Sequence, residues 1–316
     1  MNSVGIDISK GRSTIAVMRP FGEVAISPFE VRHTDSELSE LARRLKSLNG
    51  ETRVVMEATG NYHAPVAKLL HDAGLYVSVV NAKLVHGYGN NDLRRVKTDR
   101  KDAVKLANYG LDRWLTLPRY VPEENTRLLL KNCYRQYRQY SKVQTVLKNN
   151  LISLLDMTFP NANRLFVSPA RADGSEKWVD FVAEFWHCEC VSERSLKSFV
   201  NKYWRWCRKH GYNFSEEKAH AIYDEASGHI GVMPKSETTK LLVEQAVSQL
   251  SATSAALAAL KQEMQSLSSQ LPEYPVVMGM FGVGPILGPQ LIAEIGDVRR
   301  FYSKKALVAY AGIDAP

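Results

Sequence analysis

At 316 residues the chain is too long for one compact core, and a composition of 45% hydrophobic and 23% charged residues excludes a disordered or fibrous protein. The formal charge of +8 and the pI near 9.2 favour a polyanionic partner, with nucleic acid ahead of an anionic membrane. No run of about 18 apolar residues occurs, and MNSVGIDISK lacks the basic start and apolar core of a secretory signal, so a cytoplasmic protein with no membrane partner is expected.

Residues 3–19 read as two strands around the polar turn KGRS, because positions 4, 6, 15 and 17 are apolar in alternation. A polar stretch follows. Leu38, Leu41, Leu45 and Leu48 then carry the three-and-four spacing of an amphipathic helix, with Asp35 or Ser36 as its cap. TRVVMEATG is a short apolar strand, residues 64–72 a helix that stops near Gly74, and LYVSVVN another buried strand. Two β-then-α steps of this kind predict a mixed α/β sheet. The segment NDLRRVKTDRKDAVKLANYGL is a basic loop leading into a helix that begins near Asp99 or Asp102.

Pro118 and Pro122 mark a linker. Residues 123–157 are free of glycine and helical, with Leu147, Leu151, Leu154 and Leu155 on one face and Lys131, Arg135, Arg138 and Lys142 on another. Residues 160–235 are rich in aromatics, including Trp178, Trp186, Trp204 and Trp206, and read as a small helical insertion. Between Ser236 and Leu271 a seam of Val243, Val247, Leu250, Leu257, Leu260, Met264, Leu267 and Leu271 has coiled-coil-like spacing, suited to pairing with the first long helix or with another subunit. The chain ends in a turn, a helix and a second short helix. The expected divisions are 1–116, an α/β domain; 117–160, a long basic helix and linker; 161–235, the insertion; 236–273, the coiled-coil-like helix; and 274–316, a partial helical domain.

Four acids stand where strands or helices end. Asp7 alternates with Val4 and Ile6, Glu57 directly follows RVVM, and Asp99 and Asp102 are three apart, hence on one helical face. Each acid alone reads more readily as a cap or an exposed strand end. As a set they suit two-metal phosphoryl chemistry, in which converging carboxylates hold one cation that activates water and another that stabilises the leaving oxygen. An acid embedded in apolar strand residues carries a burial cost that a cation offsets. Lys97, Arg100 and Lys101 around the last pair suit an approaching phosphate backbone.

The segments VGIDISK, VVMEATGNYH and RRVKTDRKDAVKLANY, in this order, resemble the RuvC-like DEDD domain of the IS110/IS1111 family of transposases, which includes the Piv-type DNA invertases. GVGPILGPQLIAEIGDVRRFYSKKALVAYAGI is similar to the second domain of the same family. The resemblance covers residues 3–110 and 275–313. It implies an RNase H-like α/β fold followed by long helices and a helical C-terminal transposase domain. It carries the catalytic, metal-binding acids onto Asp7, Glu57, Asp99 and Asp102, and implies Mg2+ or Mn2+. It further implies site-specific recombination between the ends of an insertion element and target DNA, with a structured non-coding bridge RNA as guide and a homodimer or tetramer as the working unit. The family supplies a catalytic serine shortly after the AYAG segment. With the sequence ending at Pro316, no serine here takes that role, and Ser303 lies before the motif, so the expectation is a truncated chain with an unfinished recombinase site.

Nucleic-acid contacts are expected from Lys10, Arg94, Arg95, Lys97, Arg100 and Lys101 near the acids and from Arg135, Arg138 and Lys142 on the long helix. Gly282 and Gly284 lie in a turn that resembles a helix-hairpin-helix, whose backbone N–H groups hold phosphate, although a turn packing two helices is an equal reading. Cys188, Cys190, Cys207 and His210 have uncommon spacing for zinc and read better as buried thiols; Cys133 is a fourth reduced cysteine. Most of the tryptophans suit a core, with stacking on single-stranded bases as the lesser reading. The competing functions are a stand-alone structure-specific nuclease resembling a Holliday-junction resolvase, an actin-like kinase suggested by GIDISKGRSTIAV but lacking a second phosphate loop, and a catalytically silent nucleic-acid binder.

Overall fold

The computed structural model describes residues 1–88 and 98–313 and divides into two compact units, Met1–Glu123 and Glu124–Pro316. In the first unit β1 (Asn2–Ser9), β2 (Arg12–Met18) and β3 (Val24–Arg32) form an antiparallel meander, and β4 (Thr52–Glu57) and β5 (Tyr76–Val80) extend the sheet in parallel with β1. The strand order β3-β2-β1-β4-β5, with β2 alone reversed among the central strands, is that of an RNase H-like fold. Helices α1 (Asp35–Lys46) and α2 (His63–Asp72) cover one face, where Val4, Ile6, Ile15, Val17, Val54, Met56 and Val77 join Leu38, Leu41, Leu45, Val66 and Leu70 in an aliphatic core.

The polar stretch after the first hairpin is in fact β3, which the sequence pattern did not reveal. Pro28 breaks the alternation there, and an edge strand tolerates it because the register against β2 shifts between Ile15 and Val17. The short α3 (Ala82–His86) and then α4 (Asp99–Asp112) follow β5, and α4 packs on the opposite sheet face. Residues past α4 stay with this unit: Tyr120 N–H donates to the Val77 carbonyl at 2.7 Å, and the Tyr76 hydroxyl to the Leu117 carbonyl at 2.7 Å.

The second unit is helical. Its frame is α5 (Asn125–Thr158) with α10 (Glu237–Ser269); α6 (Lys177–Glu184), α7 (Glu189–Ser192), α8 (Leu196–His210) and α9 (Glu216–Gly228) lie between them in the chain, and α11 (Tyr274–Met278), α12 (Leu287–Ile295) and α13 (Lys304–Tyr310) follow. The coiled-coil-like seam of α10 packs against α5 of the same chain. Leu151 and Leu155, late in α5, share a core with Val243 and Leu250, early in α10, while Leu130 shares another with Met264 and Leu267, so the pair is antiparallel. Midway, the Gln144 amide donates to Ser254 Oγ at 2.9 Å. Trp178, Trp186 and Trp206 are buried with Phe159, Phe181, Phe185, Phe199 and Tyr203, and Cys188 and Cys207 lie in the same aromatic core. No helix among the described residues is long and apolar enough to cross a membrane.

Candidate active site: an acidic rim at the carboxyl end of the sheet

The parallel register of β1 with β4 runs from Asn2 opposite Thr52 to Ile6 opposite Met56, and the next positions along are Asp7 and Glu57. Neighbouring parallel strands lie about 4.8 Å apart. Alternation puts Asp7 on the face of Ser3 and Gly5, and Glu57 on the face of Val55; both acids are half-buried. This is the face that α4 covers. A Cβ on Gly5 would stand 2.0 Å from the Ala103 carbonyl oxygen and 2.4 Å from the Ala107 nitrogen, and one on Gly110 would stand 2.3 Å from Ser3 Oγ. Glycine at these two positions is therefore what allows the helix to touch the strand.

The same contacts fix the direction of α4. Gly110 lies over Ser3 and Ala103 over Gly5, so the helix runs against β1, and its first turn comes above the residues after Gly5. Asp99, which is exposed, lies one turn before Ala103, and the half-buried Asp102 lies one turn before Leu106. Thr98 caps the helix by accepting from Lys101 N–H at 3.3 Å, which settles the start at Asp99. By backbone position, the ends of β1 and β4 form one rim, and the start of α4 comes toward it. Lys10, in the turn after β1, and Arg100 and Lys101, in the first turn of α4, are exposed beside it. Arg94, Arg95 and Lys97 lie outside the described residues.

The donor set is entirely carboxylate oxygen, which fits Mg2+ or Mn2+ in kind. The fit in placement is at the level of the backbone: among the described residues no three His, Cys, Asp or Glu side chains are gathered closely enough to hold one ion.

One buried polar residue of this unit went unassigned in the sequence. His63 opens α2, six residues beyond Glu57, and its buried Nδ1 has no hydrogen-bond partner; burial holds its pKa below the usual histidine value. The only sequence signal was its place at the end of VVMEATGNYH, after a strand-end acid.

The remaining expected contacts are in the helical unit. Arg135, Arg138 and Lys142 are exposed along one face of α5, with Arg138 over the Tyr134 ring at 5.8 Å. Gly282, at φ +80°, and Gly284 lie in the turn between α11 and α12, and nothing stands within 4 Å of a Cβ on either. Below that turn Arg127, 5% exposed, is held by Glu273 through two hydrogen bonds, and Arg299 holds Asp297, whose pKa falls to about 2.

Two family models match. One, described as a DEDD transposase of the IS110 type, covers residues 4–160, and the other, transposase IS116/IS110/IS902 family, covers residues 274–316, together more than half of the sequence. The chain belongs to the IS110 family of transposases. It is 27% identical over 134 residues to the pilin gene-inverting proteins of Moraxella bovis and Moraxella lacunata, a match that spans 42% of this chain and 38% of each relative's length. Among solved structures it is similar to Thermus thermophilus RuvC, at 16% identity and a TM-score of 0.28, and to T. thermophilus RuvC in complex with a Holliday junction substrate, at 13% and 0.29. Those matches cover 38% of this chain and 100% and 99% of the RuvC chains. Residues 161–273, which include α6 to α10, lie outside both family matches.

Proposed function

We propose that this chain is a cytoplasmic site-specific DNA recombinase of an insertion element, in which Asp7, Glu57, Asp99 and Asp102 are the catalytic, metal-binding residues. The observation that supports the reading is the close seating of α4 on β1 through Gly5, which turns the start of α4 toward the ends of β1 and β4 inside the segment matched as a transposase. Mg2+ or Mn2+ held there supplies charge stabilisation at phosphorus and a more acidic bound water. The chain's own part is to fix the ion positions from three elements and to receive the phosphate backbone on Lys10, Arg94, Arg95, Lys97, Arg100 and Lys101.

Arg135, Arg138 and Lys142 and the Gly282–Gly284 turn add backbone contacts in the helical unit. The partners are the element ends and target DNA, a non-coding bridge RNA as the family resemblance implies, and further copies of the chain in a dimer or tetramer. The Moraxella relatives, named for inverting a gene, support recombination over simple hydrolysis. The same resemblance implies a serine nucleophile close after the AYAG segment.

The test presents the chain, alone and extended past Pro316, with element-end DNA, target DNA, RNA transcribed from the element, and Mg2+ or Mn2+. Strand cleavage or exchange is expected to need the metal and to fall at least about 10²-fold in Asp7→Asn while DNA binding persists. Efficient hydrolysis of branched DNA by the short chain, without exchange, favours a structure-specific nuclease instead. Unchanged activity in Asp7→Asn overturns the carboxylate assignment.

A further inference from the structure

Four of the five tryptophans are buried, at 7% exposure for Trp114, 5% for Trp178, 8% for Trp186 and 2% for Trp206; Trp204 is 41% exposed. It stands on α8, whose inner face is Phe199, Tyr203, Trp206 and Cys207. The outer face carries Lys197, Asn201, Arg205 and Lys209 in one row, four residues apart, with Trp204 and Arg208 in the adjacent row, all exposed. Arg208 lies over the Trp204 ring at 5.0 Å, a cation–π contact that restrains the indole. The row from Lys197 to Lys209 is about 18 Å long at 1.5 Å per residue.

The charges on this face are not used internally. Lys202, on the flank, is paired with Glu184 at 3.4 Å, whereas Lys197, Arg205, Arg208 and Lys209 have no ion-pair partner among the described residues. A solvated cationic helix needs no tryptophan, and a core helix would bury it. An indole fixed by an arginine in the middle of four uncompensated cations combines a π face with phosphate-reaching charge, the pairing by which single strands are held. A duplex keeps its base faces stacked inside and offers such a ring nothing, while an anionic bilayer would favour several apolar residues where this face has one.

We propose that the outer face of α8 is a binding platform for single-stranded nucleic acid, with a base stacked on Trp204 and phosphates on Lys197, Arg205, Arg208 and Lys209. The site is independent of the acidic rim and lies in the part of the chain that neither family match covers.

The test uses the full chain and its tryptophan fluorescence, titrated with short oligothymidine, oligouridine, a duplex of equal length and phosphatidylglycerol vesicles. Single strands are expected to quench the exposed indole. Trp204→Leu abolishes the quench and weakens single-strand binding roughly 5- to 100-fold, Trp204→Phe restores most of the affinity, and duplex binding changes in neither. Replacing Arg205 and Arg208 with Gln lowers the slope of log affinity against log salt by about 0.7 for each phosphate no longer neutralised. The ratio of oligouridine to oligothymidine affinity then assigns the natural strand to RNA or DNA. The proposal fails if Trp204→Leu binds single strands as tightly as the parent, if duplex DNA quenches equally, or if vesicles are the ligand that Trp204→Leu loses. None of these substitutions touches the carboxylates, so the result is separate from the test of the recombinase reading.

Discussion

The sheet unit keeps an aliphatic core and carries its candidate acids at strand ends and a helix start, whereas the helical unit builds its core from tryptophan, tyrosine and phenylalanine and spreads cations along outer helix faces. In the first, the candidate acids Asp7 and Glu57 come where strands stop, so apolar run and acid adjoin in the sequence. In the second, core and surface residues interleave, as Tyr203, Trp204, Arg205, Trp206 and Cys207 show, and only the phase of the helix sorts them.

That contrast is broken or sharpened first at the tryptophans. Trp206 lies 5.2 Å from Tyr212 and 5.6 Å from both Phe181 and Tyr203, ring to ring, so Trp206→Ala is expected to cost about 3–5 kcal/mol. Trp204→Ala, two residues away, should stay within about 0.5 kcal/mol. Denaturant melts measure both, and hydrogen exchange should place the Trp206 loss in α6 to α9 and leave the sheet amides unchanged, because the two cores share no residue.

The helix-on-strand seat comes next. Gly5→Ala sets a methyl against backbone atoms of α4 that cannot yield as a side-chain tip would, for a cost near 3 kcal/mol, the upper end for overpacking. The expected signature is loss of protection in α4 with the β1–β2 ladder intact. If Gly5→Ala melts like the parent, the close approach that organises the rim is wrong.

Arg127→Met leaves Glu273 without its partner and should cost about 3 kcal/mol, the low end for breaking a buried pair because Glu273 keeps some contact with water. Its pH dependence gives the sign. The hydrogen bonds from Arg127 hold the Glu273 pKa below its ordinary 4.5, so the stabilisation is complete above that value and lost as pH falls through the lowered one. Arg127→Met should remove this acid sensitivity. The smallest effect is at His63, where burial depresses the pKa from 6.5; the parent should lose stability as pH drops below about 6.5, and His63→Gln should flatten that limb of the profile.

How much of this was legible in the sequence follows the same divide. The hairpin of β1 and β2, strands β4 and β5, and the helices α1, α2 and α4 follow from alternation, leucine spacing and caps, and Thr98 settles which of the two acids opens α4. Strand β3 was hidden because Pro28 and the charged Glu23, Glu30 and Arg32 mask an edge strand whose pairing needs only one neighbour. The four acids were legible as a candidate set, but the direction of α4 was not, since it depends on the close approach at glycines 5 and 110. In the helical unit the seam of α10 was readable, and its partner was not: periodicity gives a face, while the shared clusters of Leu151 with Leu250 and Leu130 with Met264 identify α5.

The central claim is that the acidic rim holds divalent metal, and Mn2+ binding measured by electron paramagnetic resonance on the full chain at neutral pH tests it most directly. The account predicts saturable Mn2+ binding that is displaced by Mg2+ and lost in both Asp7→Asn, on the strand, and Asp99→Asn, on the helix, with melting temperatures preserved. Mn2+ binding of equal affinity in the parent and in both variants would contradict it.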